Sequence, residues 1–393
     1  MRPMSKHNFD QIIERRGTDS IKWSEYPEDV IPMWVADSDF AAPAPVVEAL
    51  SERVGHPLYG YADDNTKPVI DHAARHWMRT RFGWDAPKGN TAFAPGVITS
   101  VCMAIQAFTR PGENVVTLSP SYPPLIHKPR QNGRNSLASP MRLDENGRYS
   151  IDFDDLEAKL CRRETAMFIL CNPHNPTGRV FSREELRKIT ELCLANDVLI
   201  LSDEIHCDYV HKGKHTTLPA LSPAVAASCL VTINPSKTFN IAGMHSASVL
   251  SESQELLERY RKASEAAGVH ANILGVAAFS AAYLECADYA DHVCAYVRGN
   301  LEFASAFINR EIPGMKAAMP EASYLLWVDC RSLGLRHDEL MDAFVKKAKV
   351  APSSGTNYNS LHGNEGEGFV RLNLACPRST VEKALERIKK AFV

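Results

Sequence analysis

Residues 198–208 read VLILSDEIHCD and residues 230–239 read LVTINPSKTF. In each, a short, mostly apolar run gives way to polar or turn residues and then to an ionisable side chain, Asp203 or Lys237. Two further stretches share the pattern: Val115-Val116-Thr117-Leu118 is followed by Tyr122, and Met167-Phe168-Ile169-Leu170 by Asn175. Apolar runs of this length, bounded by turn signals, read as strands buried on both faces, as in a parallel sheet. Open α/β sheets collect ligands outside the carboxyl ends of their strands. The four runs therefore predict one sheet edge at which Tyr122, Asn175, Asp203 and Lys237 meet.

Strands and helices alternate from about residue 55 to 285, the pattern of βαβ units. Ser182 with Glu185 three positions on forms a capping box, and Leu186, Ile189 and Cys193 follow at helical spacing. Pro43 and Pro45 open a second helical stretch through Val46, Val47, Leu50 and Val54. A long helix is predicted near 288–310, with Val293, Val297, Leu301, Ala304 and Ile308 on one stripe. Beyond it, residues 324–328 and 369–372 read as strands and 379–392 as a closing helix. The expected fold class is α/β: a large domain with a mostly parallel mixed sheet flanked by helices, plus a smaller α+β domain. The divisions are 1–50 (an N-terminal arm and part of the small domain), 51–288 (the large domain) and 289–393 (the rest of the small domain).

Composition narrows the function. A 393-residue chain that is 45% apolar can build its core unaided. A formal charge of -3 argues against nucleic acid or a membrane surface as partner. The cluster Lys128, Arg130, Arg134 reads as a solvated loop. Ten cysteines without a Cys-x-x-Cys pair indicate neither a zinc ribbon nor a disulfide framework. With no apolar segment in MRPMSKHNFD and no run of eighteen apolar residues, the expectation is a soluble cytoplasmic protein.

The four side chains at the sheet edge suit pyridoxal phosphate. Lys237, an ordinary surface charge by residue type alone, becomes a candidate Schiff-base amine at a strand end, where desolvation lowers its proton affinity. Asp203 could merely cap a turn, but beside a pyridine nitrogen it would keep that nitrogen protonated. Asn175, in the turn-rich CNPHNPTGR (171–179), could donate to the cofactor's phenolic oxygen, and Tyr122 could stack on its ring. Gly96 lets the chain turn into a helix beginning near Val97 and Ile98, whose free amides would suit a phosphate. Arg371, alternating with Leu372 and Leu374, offers a guanidinium fork for a substrate carboxylate, a partly exposed edge arginine being the plainer reading. His72 and His76 lack the glutamate of a metalloprotease motif, and His206, His211 and His215 are a weak case for a metal; no metal is expected. No Walker or dinucleotide motif is present.

These motifs, in this order, resemble the aminotransferase-like fold-type-I pyridoxal-phosphate enzymes, and within them the MalY/PatB branch of cysteine–sulfur β-lyases. The resemblance runs almost end to end, through PEDVIPMWVADSDF (27–40), PLYGY (57–61), FAPGV (93–97), CNPHNPTGR, SDEIHCD (202–208), PSKTFNIAG (235–243), YLLWVDCR (324–331) and RLNLACPR (371–378). It implies Lys237 as the Schiff-base lysine, Asp203 as the pyridinium partner and Tyr122 as the stacking, catalytic aromatic. It also implies Asn175 and His206 as ring contacts, and Val97, Ile98 and Ser236 as phosphate ligands. Arg371 would grip the substrate carboxylate with Asn175 nearby. Tyr61 would enter from a neighbouring subunit to reach phosphate and substrate, which implies a homodimer. The sequence departs from the family at Ser38, Asn234, His245 and the middle of 353–368, a segment that precedes Arg371 and is placed to line the substrate pocket.

The implied activity is β-elimination of a cysteine thioether such as L-cystathionine, giving a thiol, pyruvate and ammonia. An aminotransferase shares every step up to loss of the α-proton and is the first alternative. A regulatory binding protein that retains the fold is the second.

Overall fold

The computed structural model describes residues 7–62 and 66–393; the first six residues of the expected N-terminal arm lie outside the described residues. A seven-stranded sheet runs in the order Thr91–Ala94, Ala247–Leu250, Cys229–Ile233, Leu199–Asp203, Thr165–Cys171, Asn114–Ser119, Asn135–Pro140. The last five are mutually parallel, and Ala247–Leu250 is antiparallel to both its neighbours. The expected mostly parallel mixed sheet is thus the one observed.

The absence of alternation in the apolar runs has a structural cause. Successive side chains of a strand point to opposite faces, and here each face has its own core. Val115, Met167, Ile169, Leu201 and Leu230 pack with Val101 and Ile105 of the helix Val97–Phe108 and with Leu257 of Gln254–Ala266. Val116, Phe168, Leu170, Ile200 and Val231 belong to the other core, with Leu186 and Ile189 of Arg183–Ala195 and Phe279 of Ile273–Glu285. Register then aligns the strand ends: Asp203 pairs with Cys171 on one side and Thr232 on the other.

A second, five-stranded sheet is built from both ends of the chain. Its order is Ile31–Met33, Val350–Ser354, Phe369–Asn373, Leu325–Asp329, Lys316–Ala317. The helix Ala287–Glu311 buries its predicted stripe and packs against Arg378–Phe392. Among the described residues no single helix is long and apolar enough to cross a membrane, and all ten cysteines are free thiols.

The details differ from expectation in three places. Lys128 and Arg130 lie on the helix Pro123–Gln131, and Arg134 donates from Nε to Thr109 Oγ1 at 2.8 Å, so the basic trio is not a solvated loop. Arg371 is not at an edge: its strand runs between Leu325–Asp329 and Val350–Ser354, which leaves it buried. In the helix Ala44–Gly55 only Val46 is fully buried, while Val47 and Val54 remain about half exposed, at 49% and 50%.

Gly178, in the turn after Asn175, ties the two sheets together: its carbonyl accepts from Ala322 N at 2.8 Å. Its φ is +68°, and a Cβ there would lie 2.4 Å from Pro320 Cβ and 3.2 Å from Ala322 O. Gly178→Ala is therefore expected to lower stability in urea denaturation by about 2 kcal/mol or more, from the combined clash and left-handed backbone.

Candidate active site

Lys237 stands in the short helix Ser236–Phe239, one turn beyond the strand Cys229–Ile233. Asn234 Oδ1 accepts from Ser236 N at 2.8 Å and shapes that turn, which gives the unusual Asn234 a local structural role. The Lys237 amine donates to the carbonyl of Ala36 at 2.5 Å. Burial lowers its pKa to about 8, with Arg371 adding to the effect and the carboxylates of Asp37 and Asp203 opposing it.

Asp203 ends its strand with a 1% exposed side chain, and its Oδ1 accepts from Ile205 N at 3.2 Å. Burial raises its carboxyl to about 7; Glu204 adds to this, while the Ile205 amide and the charge of Lys237 oppose it. Among the described residues Asp203 forms no ion pair. A desolvated carboxylate held this high lacks a counter-cation, and a pyridinium N–H is a group that would supply one.

Arg371 is 3% exposed. It donates from Nη1 to Asn175 Oδ1 at 3.0 Å and from Nη2 to the carbonyl of Trp34 at 2.8 Å. Its guanidinium lies 5.0 Å from the centroid of the Tyr358 ring, and its Nε is buried with no hydrogen-bond partner. A buried guanidinium edge left unmatched is costly, and its N–H is free to donate to one oxygen of a carboxylate. Tyr122 sits immediately before the helix Pro123–Gln131. Burial and the nearby Asp203 raise its phenol to about 12, against the pull of Arg371, so it stays protonated. His206 is buried with Nδ1 3.3 Å from Ser323 Oγ, and burial with the charges of Lys237 and Arg371 takes it down to about 3. It is a neutral ring at physiological pH.

Val97 and Ile98 open a twelve-residue helix with Gly96 at its N-cap. Ser100 Oγ, in the first turn, is 3.0 Å from Thr232 Oγ1, so the amino end of that helix lies beside the strand leading to Ser236 and Lys237. Free first-turn amides there suit a phosphate. The donor set as a whole (amine, unpartnered carboxylate, helix amides, half-matched guanidinium) fits pyridoxal phosphate and an amino acid.

Tyr61 stands clear of its own chain, fully exposed at 103%. His245 is exposed too, in left-handed backbone at φ +46°. His206, His211 and His215 do not converge: His211 Nε2 meets the Ser323 carbonyl at 2.5 Å and His215 Nε2 meets Glu204 Oε2 at 2.8 Å. The segment 353–368 folds over the end of the strand Asn114–Ser119, where Ser121 N donates to Tyr358 O at 3.0 Å and Ser119 Oγ to Glu365 Oε1 at 2.8 Å.

Several groups at the site escape the strand-end reading. Trp34 and Ala36 contribute only carbonyls, which no side-chain pattern reports. Tyr324 donates its hydroxyl to Ala36 O at 3.1 Å, and Tyr358 faces Arg371. All come from the second sheet and its connections, and their only sequence signal is their place inside or beside the stretches of family resemblance.

The family described as aminotransferase class I and II matches residues 28–388. Over its full length the chain is similar to cystathionine beta-lyase PatB of Bacillus subtilis, 43% identical across 98% of this chain and 100% of that one. It is 31% identical to protein MalY of Escherichia coli over 98% of each chain. Cystalysin from Treponema denticola, whose crystal structure contains a pyridoxal 5'-phosphate cofactor, superposes with a TM-score of 0.93 at 30% identity, covering 98% of both chains.

The lowered proton affinity of Lys237 has a direct readout. Cofactor-free protein given pyridoxal phosphate and borohydride, from about pH 6 to about pH 10, should be labelled at Lys237 with a midpoint near 8. Below that midpoint the ammonium form cannot attack the aldehyde. Peptide mass spectrometry locates the adduct; a midpoint at the ordinary lysine value would contradict the desolvated environment.

Proposed function

Because the chain belongs to the class I and II aminotransferase family and within it stands with PatB and MalY, we propose that its reaction is pyridoxal-phosphate-dependent β-elimination of a cysteine thioether, with L-cystathionine as the leading substrate. The Cβ–S bond breaks, sulfur leaves as a thiolate (homocysteine from cystathionine), and the three-carbon remainder hydrolyses to pyruvate and ammonia. The observation that carries the reading is a pair of unmet groups in one buried site: Asp203 without a counter-cation and Arg371 with an unmatched Nε. The choice of elimination over transamination is supported by the end-to-end similarity to a cystathionine beta-lyase.

Pyridoxal phosphate, when bound, supplies an aldehyde that captures the substrate amine and a ring that accepts the electron pair released at Cα. The chain supplies the rest. Lys237 would hold the cofactor through Nζ, and its free amine would be the base that removes the α-proton; its pKa of about 8 keeps a useful fraction unprotonated. Asp203 would stabilise positive charge on the ring nitrogen. Tyr122 would pack on the ring, with neutral His206 and the Asn175 amide as further ring contacts. Val97, Ile98 and Ser236 would hold the phosphate. Arg371 fixes the substrate carboxylate, with Asn175 orienting the guanidinium through the bond already in place.

The working unit is a homodimer in which Tyr61 completes the neighbour's site. Val47, Val54, Leu58, Tyr59 and Tyr61 are all exposed within a span of fifteen residues, an apolar surface of the kind a second copy covers. Ten reduced cysteines suit the cytoplasm. The large unit is 51–288, and the flanking segments form the small one.

Purified protein with bound cofactor should release pyruvate and homocysteine from cystathionine in equal amounts without an added keto acid. Thiol-free turnover that requires a keto acid would defeat the lyase reading. Lys237→Ala should abolish turnover while leaving the circular dichroism spectrum intact; a folded binding protein with no enzymatic role would release no pyruvate even with Lys237 present. Arg371→Ala should reduce kcat/KM roughly 10- to 100-fold, the worth of a charged hydrogen bond.

A further inference from the structure

The stretch Trp34–Asp39 threads between the two sides of the site, and its carbonyls from Trp34 to Ser38 are all engaged. On the site side, Trp34 O accepts from Arg371 Nη2, and Ala36 O accepts from both Lys237 Nζ and the Tyr324 hydroxyl. Asn373 Nδ2 donates to Val35 O and Asp37 O, each at 2.7 Å. On the far side the N-terminal arm closes over it. Arg15 Nη2 is 2.7 Å from Asp37 Oδ2, and Arg15 Nη1 is 2.9 Å from Asp39 Oδ1 and 2.6 Å from Ser38 O. Lys22, buried to 1% exposure, donates to Asp39 Oδ2 at 2.7 Å and to Asp37 O at 2.9 Å, and Trp23 Nε1 also donates to Asp39 Oδ1.

We propose that Arg15 is a positioning residue of this active site: its ion pair with Asp37 aims that carboxylate and masks part of its charge, which sets the protonation of the nitrogen carried by Lys237. The proposal rests on the reading of Lys237 as the cofactor-bearing lysine. Asp37 directly follows the residue whose carbonyl touches the amine, and its charge favours the protonated amine. Around Lys237 the charged and titratable groups include Asp37 from this stretch, Asp203 from the large sheet, Arg371 from the small sheet, His206 from the loop after Asp203, the Tyr324 hydroxyl, and the Tyr209 hydroxyl, which donates to the Lys237 carbonyl at 3.3 Å. Burial dominates the lowered proton affinity of the amine, and among its charged neighbours Asp37 opposes that lowering most. Asp39 differs: it is answered by both Lys22 and Arg15. Asp37 is paired with Arg15, so the loss of one guanidinium changes the charge balance next to the amine.

The test is the pH midpoint of the absorption change of the bound cofactor, with kcat/KM profiles in parallel. Arg15→Gln unmasks Asp37, favours the protonated nitrogen, and should raise the midpoint by about 0.5 to 1 unit. Arg15→Lys keeps the charge and should return most of the shift. Asp37→Asn should lower the midpoint, and adding Arg15→Gln to Asp37→Asn should change it no further. An unshifted midpoint in a folded, cofactor-loaded Arg15→Gln protein overturns the proposal. So does a second shift in the double variant, which would mean that Arg15 does not act through Asp37. If the wild-type protein takes up no cofactor, the functional reading itself falls, an outcome distinguishable from either.

Discussion

Desolvation of charge at the carboxyl edge of the large sheet is the constraint on which the rest depends. Asp203 and Arg371 are buried and Lys237 is half-buried beside them, and each responds to the loss of water in the direction physics requires. The amine gives up proton affinity and the carboxyl gains it. The guanidinium, which cannot titrate, is satisfied by Asn175, Trp34 and the face of Tyr358 except at Nε. A fold stable around such groups must hold them in place by other means, and their unmet valences are the natural points of contact for a charged ring and an amino-acid carboxylate.

Those means come from both ends of the chain. The strand Ile31–Met33 joins a sheet otherwise made of C-terminal strands, which brings the carbonyl of Trp34 to Arg371 and that of Ala36 to Lys237. Arg15 and Lys22 then clamp the same stretch from outside. A buried ionic cluster of this kind is weak evidence for stability, because desolvation cancels much of the attraction. Its geometry is better explained by what it positions.

The strand ends are readable because residues of the parallel strands need apolar neighbours on both faces, so Met167–Leu170 carries no polar residue and Leu230–Ile233 only Thr232, whose hydroxyl meets that of Ser100. A side chain a few residues past such a run has little freedom in where it emerges. That logic brought Tyr122, Asn175, Asp203 and Lys237 to one edge. It was silent about Tyr358, whose segment has neither apolar period nor strand pattern, and it underrated Arg371. Alternation with Leu372 and Leu374 describes an edge strand and a buried one equally well, and only the pairing on both sides decided between them.

By itself, then, the sequence determined the α/β class, the buried strands of the large sheet, the capped helix at Ser182 and the residues that leave the sheet together, since local periodicity and turn chemistry act over a few residues. Only the tertiary structure decided which backbone carbonyls meet Lys237 and Arg371, that Asp203 lacks a counter-cation, and that Arg15 reaches Asp37 across twenty-two positions. Those are relations between segments far apart in the chain, and they exist only once both cores have packed and water has been removed from the groups between them.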